Sequence, residues 1–229
     1  MRLAEGNDAM ITQSAAVSNP HYDSAYFKHQ KMSGEYSGVI DLFKFSTEVT
    51  RSDRVVDFGC GGGYILANLL AREKIGVEVN EAAAAMARSK GLTIVPALDL
   101  LEDGWADVII SHHALEHVDD PLGVVTSMLA KLRTGGKVVI VTPVESYTRR
   151  FREEDPNFHL FTWSPSNLGN LLKRAGFVRI SATTLYHRWP PYWYLLKEVL
   201  GLRLMHVICV LHGRLRTEMN QAKAVAYKP

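Results

Sequence analysis

From residue 54 onward the chain alternates short apolar runs with segments whose apolar residues recur at helical spacing. The runs at 54–58, 75–79, 92–96, 106–111 and 137–142 predict five strands. Between them, Ile65, Leu66, Leu69 and Leu70 share one face of a helix over 64–72, and Ala82–Arg88 is rich in strong helix formers. Asp120-Pro121 reads as a helix start, with Asp as N-cap and Pro at the first helical position. Val124, Val125, Met128, Leu129 and Leu132 form that helix's apolar face, and Gly135-Gly136 is expected to end it. A further helix starts at Ser164-Pro165, carries Leu168, Leu171, Leu172 and Ala175 inward, and stops at Gly176. Strand patterns follow at 177–185 and 222–227. Regular alternation of this kind predicts an α/β fold with a mainly parallel sheet and helices on both faces.

The N-terminal part is different. Residues 1–20 show no helical or strand period and read as a loosely held arm. His21–Gln30 predicts a helix with Tyr26, Phe27 and Gln30 on one face, and a second helix is expected through 39–45. Between strands six and seven lies an apolar segment, Trp189–Leu196 and then Val199–Leu211. Lys197, Glu198, Gly201, Arg203 and His206 interrupt it, so it holds no stretch of ~20 apolar residues that could span a bilayer. It predicts helices packed on the domain, or a cap, with peripheral membrane contact left open.

The chemistry concentrates at Val55-Val56-Asp57-Phe58-Gly59-Cys60-Gly61-Gly62-Gly63, a strand running into a glycine loop and then a helix. Such a unit binds nucleotide-like ligands, because glycine lets backbone turn tightly and approach the ligand. A dinucleotide fold requires G-x-G-x-x-G, but Tyr64 stands where its third glycine belongs. Asp57 at the strand end opposes a pyrophosphate and suits a cation. This unit resembles motif I of the class I S-adenosylmethionine-dependent methyltransferases. The resemblance extends over 54–142: Gly76–Asn80 is similar to the family's second strand, Leu98-Asp99-Leu100 to its adenine-side segment, Ala106–Ser111 to its fourth strand and Gly135–Val141 to its fifth.

The resemblance implies a Rossmann-like seven-stranded, mostly parallel sheet with helices on both faces. The last strand would be antiparallel, inserted between strands five and six. It implies S-adenosylmethionine as cofactor, bound by Asp57, Gly59, Cys60, Gly61 and Gly63, by Glu78 at the ribose hydroxyls, by Val79, Asp99, Leu100 and Ser111, and by Tyr26 and Gln30 from the closing N-terminal helix. One methyltransferase domain over 1–229 is expected: arm and helices at 1–50, cofactor core at 51–142, acceptor-side cap and final strands at 143–229. The aromatic segments His159–Pro165 and Arg188–Pro191 resemble methyltransferases of bacterial polysaccharide-assembly clusters. That implies a sugar or glycan-precursor hydroxyl as acceptor, with a quinone or natural-product small molecule as the alternative and a non-catalytic cofactor-binding protein as a third.

His113-Ala114-Leu115-Glu116-His117 also fits the H-x-x-E-H zinc-protease spacing. The segment begins at a strand end, Asp119-Asp120-Pro121 cuts any helix short, and no third ligand is evident, so no metal is expected. His113, and behind it His112 and His117, are instead the candidate bases for a hydroxyl acceptor, since ligands bind at the carboxyl ends of the strands. The loop 143–163 and the segment 186–216 are expected to form a lid over the acceptor, with Arg149, Arg150 and Arg152 available to a phosphate.

Composition changes little. The chain has 229 residues, 47% hydrophobic and 22% charged, with net charge +2, and so shows no electrostatic case for nucleic acid. Its two cysteines, Cys60 and Cys209, form no metal or disulfide spacing, which fits a reducing cytoplasm, and no leader pattern is visible.

Overall fold

The structure, a computed structural model, describes residues 34–146, 148–155, 157–216 and 220–229. Tyr26 and Gln30 lie outside them. Residues 34–40 (α1) and Phe43–Ser46 (α2) are helical and precede β1 (Arg54–Phe58). The chain continues through α3 (Tyr64–Asn68), β2 (Glu73–Val77), α4 (Glu81–Ser89), β3 (Thr93–Val95) and β4 (Ala106–His112). Then come α5 (Pro121–Lys131), β5 (Leu132–Pro143), α6 (Pro165–Arg174), β6 (Val178–Leu185), α7 (Trp193–Leu215) and β7 (Gln221–Tyr227).

The seven strands form one sheet in the order β3-β2-β1-β4-β5-β7-β6. β1 to β5 pair in parallel, while β7 runs antiparallel between β5 and β6. This is the Rossmann-like sheet expected. Side chains alternate across it, so neighbouring residues feed two separate cores. Val56, Ile109, Val138 and Ile140 face α5 and α6, where Met128, Leu168 and Leu172 are fully buried. Val55, Val108, Ile110, Val139 and Val141 face the other way, onto Phe45, Ile65 and Leu66.

The caps form as the sequence predicts. Asp120 accepts from the Gly123 amide at 2.9 Å with Pro121 following it, and Ser164 accepts from the Asn167 amide at 3.1 Å. Several boundaries differ, among them that of the helix expected through 39–45, which is interrupted at 41–42 between α1 and α2. α3 stops at Asn68, because Leu69 turns to an extended conformation and is buried. β2 lies two residues earlier than expected, which leaves Glu78 and Val79 beyond its end. Gly135-Gly136 does not end α5. The helix stops at Lys131, and the glycines lie inside β5 at a bulge, where the pairing jumps from Ala106↔Leu132 to Val108↔Lys137. A Cβ on Gly136 would stand 2.9 Å from the Arg133 carbonyl and 3.0 Å from that of Asp107, so the close backbone approach there requires glycine.

The strand order reverses between β1 and β4, so the crevice between their carboxyl ends is the topological switch point.

Candidate active site

The loop after β1 is held from below. The Gly59 and Cys60 amides both donate to the Val77 carbonyl, at 2.9 and 3.1 Å. Gly59, with φ of 71°, comes so close to the segment after β4 that a Cβ would stand 2.3 Å from that of Ala114. Gly61, with φ of 53°, meets nothing within 4 Å where its Cβ would project, so the backbone there opens on free space. Glu78 grips the loop: one carboxylate oxygen accepts from the Gly61 amide at 2.8 Å, the other from the Asn80 amide at 2.8 Å. Asn80 in turn caps α4 by accepting from the Ala83 amide at 3.1 Å.

A cavity of ≈ 420 Å³ opens over this loop. Asp57, Gly59, Cys60 and Gly61 line one side; His112 and His113 line another; His187, Arg188 and Trp189 close a third. The size suits a small organic ligand. Asp57 is 3% exposed, and burial, reinforced by the Glu78 charge, pushes its carboxyl up to about 8. Glu78 is also raised by burial, an effect opposed by its backbone hydrogen bonds. Burial pushes the Cys60 thiol up, which removes it as a nucleophile. Val79 and Leu100 expose apolar side chains just beyond the neighbouring strands β2 and β3; Asp99 is exposed beside them, and Ser111 is buried at the end of β4.

The cavity floor holds a buried charge network that sequence reasoning missed. Lys44, 1% exposed, pairs with Asp41 at 3.0 Å and reaches the His112 Nε2 at 2.9 Å. His187 places its Nδ1 3.4 Å from the same Asp41 oxygen. Burial alone would raise Asp41, but the Lys44 and His187 charges, with hydrogen bonds from Lys44 and Ser37, hold it below the ordinary carboxylate value. Burial lowers Lys44, and it lowers His112 far below the usual histidine value with the Lys44 charge adding to the effect. The i, i+3 spacing of Asp41 and Lys44 was the available signal, but on a surface-type helix that spacing reads as a solvated ion pair.

His113 adopts φ of 55°, uncommon for a non-glycine residue, and its side chain, 35% exposed, opens on the cavity. Its Nδ1 lies 3.7 Å from a Glu116 oxygen. Glu116 is fully buried, neither carboxylate oxygen has a hydrogen-bond partner among the described residues, and burial raises it to about 8. His117 does not line the cavity. Leu115–His117 forms one 3-10 turn, and His117 lies beside Glu116 and His159 rather than on the cavity wall. His159, Glu116 and His117 form a group whose ligand atoms lie within 4.8 Å of one another; His113 is not part of it, so the group differs from the His113/His117 pair that the sequence spacing suggested.

The proposed lid assembles only in part. His187, Arg188 and Trp189 do face the cavity, but Trp163 packs in the core below α6, and Arg149 is bound by Glu145 and Asp155.

A family model described as a methyltransferase domain matches residues 29–182. The chain belongs to the class I S-adenosylmethionine-dependent methyltransferases. A probable S-adenosylmethionine-dependent methyltransferase of Mycobacterium tuberculosis is 31% identical over 141 residues, which cover 58% of this chain and 52% of that protein. A ubiquinone biosynthesis O-methyltransferase of Vibrio parahaemolyticus is 36% identical over 102 residues, covering 39% of this chain and 43% of that protein. The chain thus spans about half the length of these curated relatives. A methyltransferase structure from Archaeoglobus fulgidus superposes with a TM-score of 0.65 at 21% identity, covering 90% of this chain and 100% of the other. Phosphoethanolamine N-methyltransferase 2 of Haemonchus contortus, solved with S-adenosylmethionine, gives 0.58 at 17% identity, over 82% and 51% of the two chains.

The methyltransferase's cavity fits this cofactor. Open space at Gly61 admits a ligand against the backbone, and two neighbouring carboxyls, Asp57 and Glu78, are both destabilised in their charged forms until a cation arrives.

Proposed function

We propose that this methyltransferase moves the methyl group by in-line displacement to a hydroxyl oxygen of a small polar acceptor, a sugar or glycan precursor. The observation that supports it is that Asp57 and His113 open on one cavity at the switch between β1 and β4. S-adenosylmethionine supplies a methyl already activated by its sulfonium. In this reading the backbone of Gly59, Cys60, Gly61 and Gly63 cradles the cofactor, with Asp57 at its cationic end and Glu78 at its ribose. Val79 and Leu100 offer apolar faces to the adenine, Asp99 accepts at its edge, Ser111 lines the base of the cleft, and Tyr26 and Gln30 close over it. Burial, with the Lys44 charge adding to it, lowers His113 to about 3, so in this reading the neutral imidazole orients an acceptor hydroxyl and takes its proton only as the oxygen is methylated and that proton becomes acidic; Glu116 lies 3.7 Å behind it. His112, tied to Lys44, sets the floor against which the acceptor rests. His117 places its Nε2 3.9 Å from the same Glu116 oxygen that His113 approaches.

A second reading, a phenolic quinone precursor as acceptor, is favoured by the ubiquinone O-methyltransferases among the relatives. Turnover of S-adenosylmethionine with a panel of sugars, glycan precursors and hydroxylated phenols tests both. Under the first reading a sugar supports turnover, and His113→Ala lowers kcat ~10²-fold or more. Turnover with phenols alone selects the second reading. Turnover of neither class, with cofactor binding intact, overturns both.

A further inference from the structure

α7 is bent at Gly201, whose φ of 65° and ψ of 163° interrupt the helix. In the second half, Met205, Cys209 and Gly213 point inward and are buried. The opposite face carries Leu204, Val207, Leu211 and Leu215, spaced i, i+3, i+7 and i+11, and they are 49%, 49%, 54% and 83% exposed. In the first half, before the bend, Leu195 and Val199 are also exposed, at 60% and 82%. Scattered exposed apolar residues need no explanation, but a continuous stripe along a helix marks a contact.

The charge around the stripe identifies that contact. Between Trp193 and Arg216 the cations are Lys197, Arg203, Arg214 and Arg216, against the single acid Glu198. Helical spacing puts Arg203 and Arg214 along one edge of the stripe. Exposed Tyr192 and Tyr194 stand at the start of the helix, the amphipathic type of side chain that settles at a lipid–water boundary. A second copy of this chain is a poor occupant, because a two-fold contact would bring two equally basic helices together. The chain's own residues 1–33 contribute three cations (Arg2, Lys28, Lys31) and three acids (Glu5, Asp8, Asp23), and so offer no complementary charge. No described helix, α7 included, is long and apolar enough to cross a bilayer. An apolar stripe with a basic edge and aromatic start is what lies in the plane of an anionic lipid surface.

We propose that α7 is a membrane-surface element that seats the chain on an anionic bilayer through Leu204, Val207, Leu211 and Leu215, with Arg203 and Arg214 at the lipid phosphates. This goes beyond the methyl-transfer reading and does not depend on it. It places the cleft at the bilayer, because Trp189 lines the cavity and packs against Trp193 at the start of α7, with ring centroids 4.7 Å apart.

The test is co-sedimentation of the full chain with vesicles of phosphatidylcholine alone and of equimolar phosphatidylcholine and phosphatidylglycerol. The chain is expected to bind the mixed vesicles at least ~tenfold more tightly than the neutral ones, and to release as salt rises. The double variant Val207→Glu/Leu211→Glu should lose that binding ~tenfold or more, while its circular dichroism and its S-adenosylmethionine affinity stay as in the unmodified chain. Arg203→Glu/Arg214→Glu, a milder surface change, should remove the preference for phosphatidylglycerol. Equal binding to both vesicle types, binding unchanged in the double variants, or no vesicle binding with a dimer that Val207→Glu/Leu211→Glu converts to monomer would each overturn the proposal.

Discussion

Cofactor binding should release a proton. Asp57 is buried beside Glu78, and its carboxyl is pushed up to about 8. At pH 7 the free protein therefore holds it protonated by roughly ten to one. A sulfonium and an ammonium brought into the cleft reverse that preference and drive close to one proton out. Linkage then requires affinity to rise ~tenfold from pH 6 to pH 7, a range in which the cofactor's own amino group stays charged. The stability of the free protein changes in the opposite direction. The unfolded chain's Asp ionises near its ordinary 3.8, so folding must retain a proton, and stability falls as pH rises from that value toward about 8. Calorimetric titration at pH 7 in buffers of different ionisation enthalpy counts the released proton directly. Asp57→Asn should abolish both the buffer dependence and the pH slope. Equal affinity at pH 6 and pH 7, with heats independent of buffer, would show that Asp57 is already ionised and that the electrostatic account of the loop is wrong.

Glu78→Ala should weaken S-adenosylmethionine binding by ~1–3 kcal/mol, and because it also frees the Gly61 and Asn80 amides it should lower the melting temperature, both readable in one thermal-shift titration. Lys44→Met should destabilise the fold by ~3–5 kcal/mol in chemical denaturation, since Asp41 would be left buried without its cation. Activity is expected to survive chelators despite the group at Glu116, His117 and His159; metal analysis finding one zinc per chain, lost together with activity in His117→Ala, would show the reverse.

Where the sequence was legible, one local rule decided each element. Asp120-Pro121 and Ser164-Pro165 begin helices because cap chemistry acts within four residues. The run Val55–Asp57 fixes β1 because both faces of a central parallel strand are buried. The misreadings have equally specific causes. Gly135-Gly136 looks like a helix stop, yet Gly136 serves a close approach to strand β4 that involves Asp107, distant in sequence. Asp41 and Lys44 went unread, because only the packing of His112 and His187 against them, distant in sequence, makes them a buried network. His113 and His117, four residues apart, would share a face of an α-helix, but one 3-10 turn separates them.

The central claim is that the loop at Gly61 receives S-adenosylmethionine above Asp57. Isothermal titration of the chain, Gly61→Ala and Gly61→Val with S-adenosylmethionine and with NAD tests it most directly. The account predicts binding of S-adenosylmethionine and not of NAD, weakened by Ala and abolished by Val, because the space beside Gly61 is open until the ligand fills it; φ of 53° strains any side chain there, so circular dichroism is read on both variants and only folded protein counts. Tight binding of NAD with none of S-adenosylmethionine, or S-adenosylmethionine affinity unchanged in a folded Gly61→Val variant, would contradict it.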